Sequence, residues 1–272
     1  MFYRKFNPSA HLTPFVACYF VWESQDIAPK PLRIESPPSG YASMVFNFGD
    51  AYQVENSKHE SLMTPAMFLT GQATQSYSLN LSGRIGMVGI VFKPAGMSSL
   101  FGLPMYEFTD ERVDLTDVLG KSLTNVQGPI LEAGNPVERV QLLEQFLLRQ
   151  LAKKNPSFDR TDYTANLIVE RKGVVNVSEL MDDLYVCRRQ FERQFLQKVG
   201  ISPKYYARVR RVGHLCAQLA SQRWQINDWH ELIYQCGYYD QSHFIREFTQ
   251  FTGKRPSLYV KDNQELTRFL DT

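Results

Sequence analysis

The sequence predicts an α+β, multidomain chain: an N-terminal β sandwich or barrel, then an all-α double helix-turn-helix. Three observations predict it. Short aromatic and β-branched runs, punctuated by Gly and Pro, fill the first 110 residues. From Asp114 the texture changes towards helix. A 53-residue repeat then appears near the C-terminus.

The β elements come in order. Phe15–Trp22 is a strand-like run, and Ser43–Phe48 follows the turn Pro37, Pro38, Ser39, Gly40. Met67–Thr70, Ser76–Leu81 and Met87–Phe92 continue the pattern. Asn135 is placed to cap a helix with Pro136 in its first position. The run Val137–Lys154 then lines Val140, Leu143, Phe146, Leu147 and Leu151 along one stripe. That stripe suits either the β domain or a second copy of the chain. Asn155, Pro156 and Ser157 mark a linker, and the chain is helical in pattern beyond it.

Shifting the C-terminal segment by 53 residues superposes Phe191, Arg193, Phe195, Gln197, Gly200, Pro203 and Tyr206 on Phe244, Arg246, Phe248, Gln250, Gly253, Pro256 and Tyr259. Seven identities fall in 16 positions, where roughly one is expected at ordinary frequencies. Two Phe four apart share a helix face and turn inward, while the intervening Arg reaches solvent. Gly200 and Gly253 stop the two helices. A shorter helix precedes each copy, Val177–Leu184 and Trp229–Cys236, with Ser178 near the first cap and Asp228 at the second. The turns are Tyr185–Cys187 and Gly237–Asp240. Each copy is thus a helix, a tight turn and a second helix with an exposed Arg. Pro203–Gln222 reads as one long connecting helix.

Charge agrees with that plan. Residues 1–156 carry 13 Lys+Arg against 14 Asp+Glu, whereas 171–261 carry 15 against 8, a net +7. A basic segment beside a neutral one suits a polyanion. No apolar run is long enough to span a bilayer and no secretory leader is evident, so the expected compartment is the cytoplasm. Cys18, Cys187, Cys216 and Cys236 form no C-x-x-C pair and read as scattered buried thiols.

Asp228–Tyr259, with Gly237-Tyr238-Tyr239-Asp240-Gln241-Ser242-His243-Phe244-Ile245-Arg246-Glu247-Phe248 followed by Gly253, Pro256 and Tyr259, resembles the signature of AraC/XylS-type regulators. Val177–Tyr206 is similar to that family's less strict first unit, and the resemblance spans about 160–261. Met181 and Ile233 stand where small residues are usual, and Cys187 where Ser is usual. Tyr19–Trp22, Pro37–Gly40, Met44–Asp50, Gly71 and Phe92–Gly96 resemble a cupin-like domain found before such units. The resemblance implies three parts: a β-rich sensing domain at 1–134, a connecting helix and linker at 135–156, and a DNA-binding domain at 157–272. It implies a transcription regulator, activator or repressor, with duplex DNA as partner and RNA polymerase as a further partner in keeping with it. A small-molecule effector and a homodimer are further partners in keeping with it.

The repeat places Arg189, Glu192 and Arg193 in the first unit, and Gln241, Ser242, His243 and Arg246 in the second, as candidates to read bases. Lys204, Arg208, Arg211, Lys254 and Arg255 are candidates for phosphate. Phe46, Phe48, Tyr52 and Phe92 could line an effector pocket, although filling a β core is the plainer reading. His11 and His59 lack ligand-like pairs, so no metal or other cofactor is expected. Gly83, Gly86 and Gly89 do not make a phosphate loop. An alkyl-accepting repair enzyme would need an activated Cys, which Cys18 in an apolar strand is not expected to be, so no enzyme is expected. The remaining alternative is a β-domain interaction protein with a degenerate DNA-binding unit.

Overall fold

The computed structural model describes residues 2–24, 28–123, 125–182, 187–226 and 228–270. The strands are β1 Phe2–Phe6, β2 Val16–Glu23, β3 Ala28–Ser36, β4 Ser43–Asn47, β5 Gln53–Glu55, β6 Leu62–Met63, β7 Met67–Thr70, β8 Tyr77–Gly83, β9 Gly86–Phe92 and β10 Arg112–Asp114. They form two antiparallel sheets, a six-stranded one in the order β1-β2-β9-β4-β7-β10 and a four-stranded one in the order β3-β8-β5-β6.

The central strands of the larger sheet are buried on both faces, and the period-two rule sorts their side chains. Val45, Phe68 and Met87 point to the smaller sheet, where they meet Leu32, Tyr52, Val54 and Leu81. Their neighbours Met44, Phe46, Met67, Leu69, Val88, Ile90 and Phe92 point the other way, to a layer of helices. That layer holds α1 Gly96–Phe101, α2 Leu115–Leu119, α3 Gln127–Glu132 and α4 Pro136–Lys154. Asn135 caps α4 by accepting from Glu138 N at 3.0 Å. The stripe of α4 packs on the sheet: Val140, Leu143, Phe146 and Leu147 share one core with Phe46 and Phe92. Of its two expected partners, the stripe therefore takes the β domain.

The remaining helices are α5 Arg160–Glu170, α6 Val177–Asp182, α7 Arg188–Val199, α8 Pro203–Ser221, α9 Trp229–Gln235, α10 Gln241–Thr252 and α11 Pro256–Leu270. They close around one core, in which Phe191, Phe195, Phe244 and Phe248 of the repeat meet Tyr206, Leu215 and Tyr259. Met181 and Ile233, the two bulky departures from the family pattern, are buried in that core. No helix among the described residues is long and apolar enough to cross a membrane.

Candidate nucleic-acid interface

The first unit pairs α6 with α7. Residues 183–186 lie outside the described residues, so most of the expected turn Tyr185–Cys187 and the end of the expected helix Val177–Leu184 are not described. The cap of α6 differs from expectation. Asn176, not Ser178, does the capping, since its Oδ1 accepts from Ser178 N at 3.1 Å and its Nδ2 donates to Glu179 Oε1 at 2.7 Å. Helix α6 starts at Val177, which puts Ser178 inside the first turn. Cys187 precedes α7 in extended conformation and its thiol caps nothing; it is exposed and Cys18 half-buried, so of the four thiols expected to be buried only Cys216 and Cys236 are. Arg189 and Arg193 are exposed on α7, while Glu192 is half-buried and accepts from Arg188 Nε at 3.1 Å.

The second unit has stronger caps. Asp228 accepts from His230 N at 2.7 Å at the head of α9. Gly237 has φ +71° in the turn. Asp240 accepts from His243 N at 2.7 Å at the head of α10. Gln241, Ser242 and Arg246 are exposed, and the ring of His243 rests edge-on against Tyr238, 5.4 Å between centres. Both recognition helices end on left-handed glycines, Gly200 at φ +100° and Gly253 at φ +75°.

Between the two units runs a groove of about 840 Å³. The segment Gly173–Ser178 and Arg188 form one wall, and Lys204, Ala207, Arg208 and Arg211 of α8 form the floor. His243, Arg246, Glu247 and Gln250 of α10 form the other wall. Five cationic side chains face one carboxylate there. The groove brings together His243 and Arg246 with Lys204, Arg208 and Arg211. It leaves out Arg189, Glu192 and Arg193 of the first unit. Gln241 and Arg255 instead border a second groove of about 460 Å³, walled by Trp229, Ile233, Phe244, Ile245 and Pro256.

Glu247 organises the basic groove. It is 3% exposed, accepts from Arg208 Nε at 2.7 Å, and pairs with Arg211 Nη2 at 2.6 Å. Burial pushes its carboxyl up, but the bonds from Arg208 and the charge of Arg211 outweigh that and hold it below the usual range. Arg208 also donates to Gln250 Oε1 at 2.7 Å, and Arg211 lies 4.5 Å from the ring centre of Tyr238. Both phosphate candidates are thus engaged inside the protein. Lys254 is engaged too, by Glu35 at 2.7 Å and Asp262 at 2.9 Å. Lys204 and Arg255 lie nearer solvent, both exposed.

Sequence reasoning missed Arg188 as a groove residue and Glu247 as its organising anion. The repeat carried a faint signal for Glu247, which stands where the first copy has Gln194.

Phe46, Phe48, Tyr52 and Phe92 do not come together as an effector pocket. Phe46 and Phe92 are fully buried on the helix-covered face with Phe48 packed beside them, and Tyr52 lies between the sheets. The six-stranded sheet separates them, because Tyr52 belongs to the other layer. Burial pushes the Cys18 thiol up, opposed by Lys5, which leaves it less ionised than a free thiol. Among the described residues no three His, Cys, Asp or Glu stand close enough to hold a metal ion.

Residues 180–262 match the sequence family described as a helix-turn-helix domain, and residues 4–114 match a domain of unknown function, DUF6597. No curated protein sequence matches the chain. Among solved structures, ToxT from Vibrio cholerae is similar at 14% identity and a TM-score of 0.46, over 88% of this chain and 97% of that one. Unsaturated-fatty-acid-bound wild-type ToxT from strain SCE256 is similar at 15% and 0.43, over 88% and 96%. These likenesses are loose, and the fold stands on the topology and capping given above. The two helix-turn-helix units, the first of which begins at Val177 just ahead of the matched segment, agree with that match: residues 180–262 are a helix-turn-helix domain, the DNA-binding part of a transcription regulator, and residues 4–114 of the same chain are a domain of unknown function.

Proposed function

We propose that the chain reads two neighbouring major-groove segments of one duplex, with the N-terminal turns of α7 and α10 as the reading elements. The observation that carries this is the basic groove between the units: Lys204, Arg208, Arg211 and Arg246, with Arg188 paired to Glu192 at its edge, around Glu247 as the one lining carboxylate. A duplex spanned by two recognition helices must pass its phosphate backbone between them. A cationic channel there supplies charge that is not sequence-specific. Arg189 and Arg193 on one side, and Gln241, Ser242 and Arg246 on the other, are exposed at the tips, where side chains meet base edges. Lys204 and Arg255 are the phosphate contacts this reading favours. Arg208 and Arg211 act by setting the shape and potential of the channel through Glu247.

The same reading makes RNA polymerase the protein partner and the cytoplasm the compartment. A dimer formed through α4 would have to use its outward face, since the apolar stripe is already covered.

Selecting bound fragments from a random DNA pool tests the proposal. The expected product is a site with two conserved segments about one helical turn, ~34 Å, apart. Arg246→Ala should weaken the selected site by about 1–3 kcal/mol while sparing random DNA. Lys204→Ala should weaken both alike and flatten the salt dependence by about one unit. Equal losses on cognate and random DNA for Arg246→Ala would remove its base-reading role. A pool that yields no enriched sequence would favour a β-domain interaction protein with a degenerate DNA-binding unit.

A further inference from the structure

Helices α7 and α10 end at equivalent places of the 53-residue repeat, and a helix end leaves carbonyls in want of partners. The β domain meets both ends. Thr109 Oγ1 donates to Gly200 O at 3.0 Å, and a side chain at Gly200 would press into Met105 O. Ser76 N donates to Phe251 O at 2.9 Å, in the last turn of α10. Glu35 pairs with Lys254 two residues further on.

The strut between the two tips is held as well. Tyr206 Oη donates to Gly40 O at 3.0 Å. Arg210 donates to Ser39 O and to Tyr41 Oη, with its guanidinium 4.1 Å from the Tyr41 ring centre. Gly213 of α8 lies against Pro38 O with no room for a Cβ.

We propose that the β domain is a three-point bracket that sets the separation and relative tilt of the two recognition helices, and with them the half-site spacing the chain accepts. This rests on the DNA-reading function above. Within the helical part, α8 fixes the distance, and the Glu247 pairs with Arg208 and Arg211 tie α10 to it at one place along its length. The second unit joins it through a turn, in which Arg223 and Trp224 have φ of +52° and +60°, and a turn is a natural pivot. The β-domain contacts at the C-terminal ends of both helices restrict that freedom. Glu35, Ser76 and Thr109 are positioning residues, because they hold the C-terminal ends of helices whose N-terminal turns do the reading.

Two readouts on the full chain test the bracket. Nitroxide labels are placed at Gln190→Cys and Ser242→Cys in a background of Cys18→Ser and Cys187→Ser, and their distance distribution is measured without DNA. One narrow distribution is expected for this background. Thr109→Val combined with Glu35→Gln should at least double its width, and Thr109→Ser should leave it narrow. On a random DNA pool, the bracketed chain should select one spacing, while the double variant should accept spacings a base pair shorter or longer with at least tenfold less discrimination. An unchanged width in a double variant that still melts cooperatively overturns the bracket. If the double variant does not fold, Glu35→Gln alone is judged by the same criterion. Failure of the bracketed chain to enrich any DNA would instead count against the DNA-reading function, and the distance distribution would still decide the bracket.

Discussion

Glu247 sits almost wholly inside the fold, one residue after the solvent-facing Arg246. Its two guanidinium partners are 30% and 15% exposed, so the pair is shielded on the carboxylate side and wet on the other. Removing one member of such a pair leaves uncompensated buried charge. Glu247→Gln should therefore lower stability by about 2–3 kcal/mol, at the low end for buried pairs because both Arg reach water. Chemical denaturation of the two proteins would check this. The pH dependence has a definite sign. The carboxyl is held below its unfolded value, so its contribution is complete above roughly pH 4.5 and is lost as pH falls through the folded value. Melting temperature should fall as the pH is taken below about 4.5 in the parent, and less steeply in Glu247→Gln. Parallel curves would show that the carboxylate does not carry the acid sensitivity.

Helix ends give the next scale. Gly200 and Gly253 have the same repeat position and the same left-handed backbone, but their surroundings differ. A Cβ at Gly253 meets nothing within 4 Å, whereas one at Gly200 meets Met105 and Thr109. Gly253→Ala should cost about 1 kcal/mol, the strain of a left-handed alanine. Gly200→Ala should cost clearly more, because a β-domain backbone must also move. Equal costs would mean that the domain contact yields freely. At the opposite end of α7, Cys187→Ser should add a capping hydroxyl and stabilise by about 0.5–1 kcal/mol in thermal melts, provided the extended backbone at 187 is kept.

The elements that could be read from sequence were those specified by local chemistry. The caps Asn135 and Asp228, the stop signals Gly200 and Gly253, and helix α8 all follow from residues within a turn of one another. Strand β3 escaped because Pro29 and Pro31 speak against a strand, but β3 is at the edge of the four-stranded sheet, where Pro is tolerated. Strands β5, β6 and β10 are two or three residues long, too short for alternation to show.

At the scale of the whole molecule the information is non-local. Arg210 finds Ser39 across 171 positions, and Arg208 finds Glu247 across 39. No periodicity encodes such meetings, so phosphate candidates chosen by charge included residues already committed within the fold. The repeat located the two helix-turn-helix units, and the charge imbalance pointed to the part of the chain that holds the basic groove. What the β domain does to them required coordinates.

Lys254 and Glu35 are 219 positions apart. A ribosome adding about 5–20 residues per second makes the second partner roughly 10–45 s after the first. Throughout that interval the Glu35 carboxylate waits for Lys254, and for most of it the turn at Pro37–Gly40 waits for Tyr206, Arg210 and Gly213. A nascent chain halted after α4 should accordingly be stickier than the finished protein, because the surface that later receives α8 and Lys254 is still uncovered.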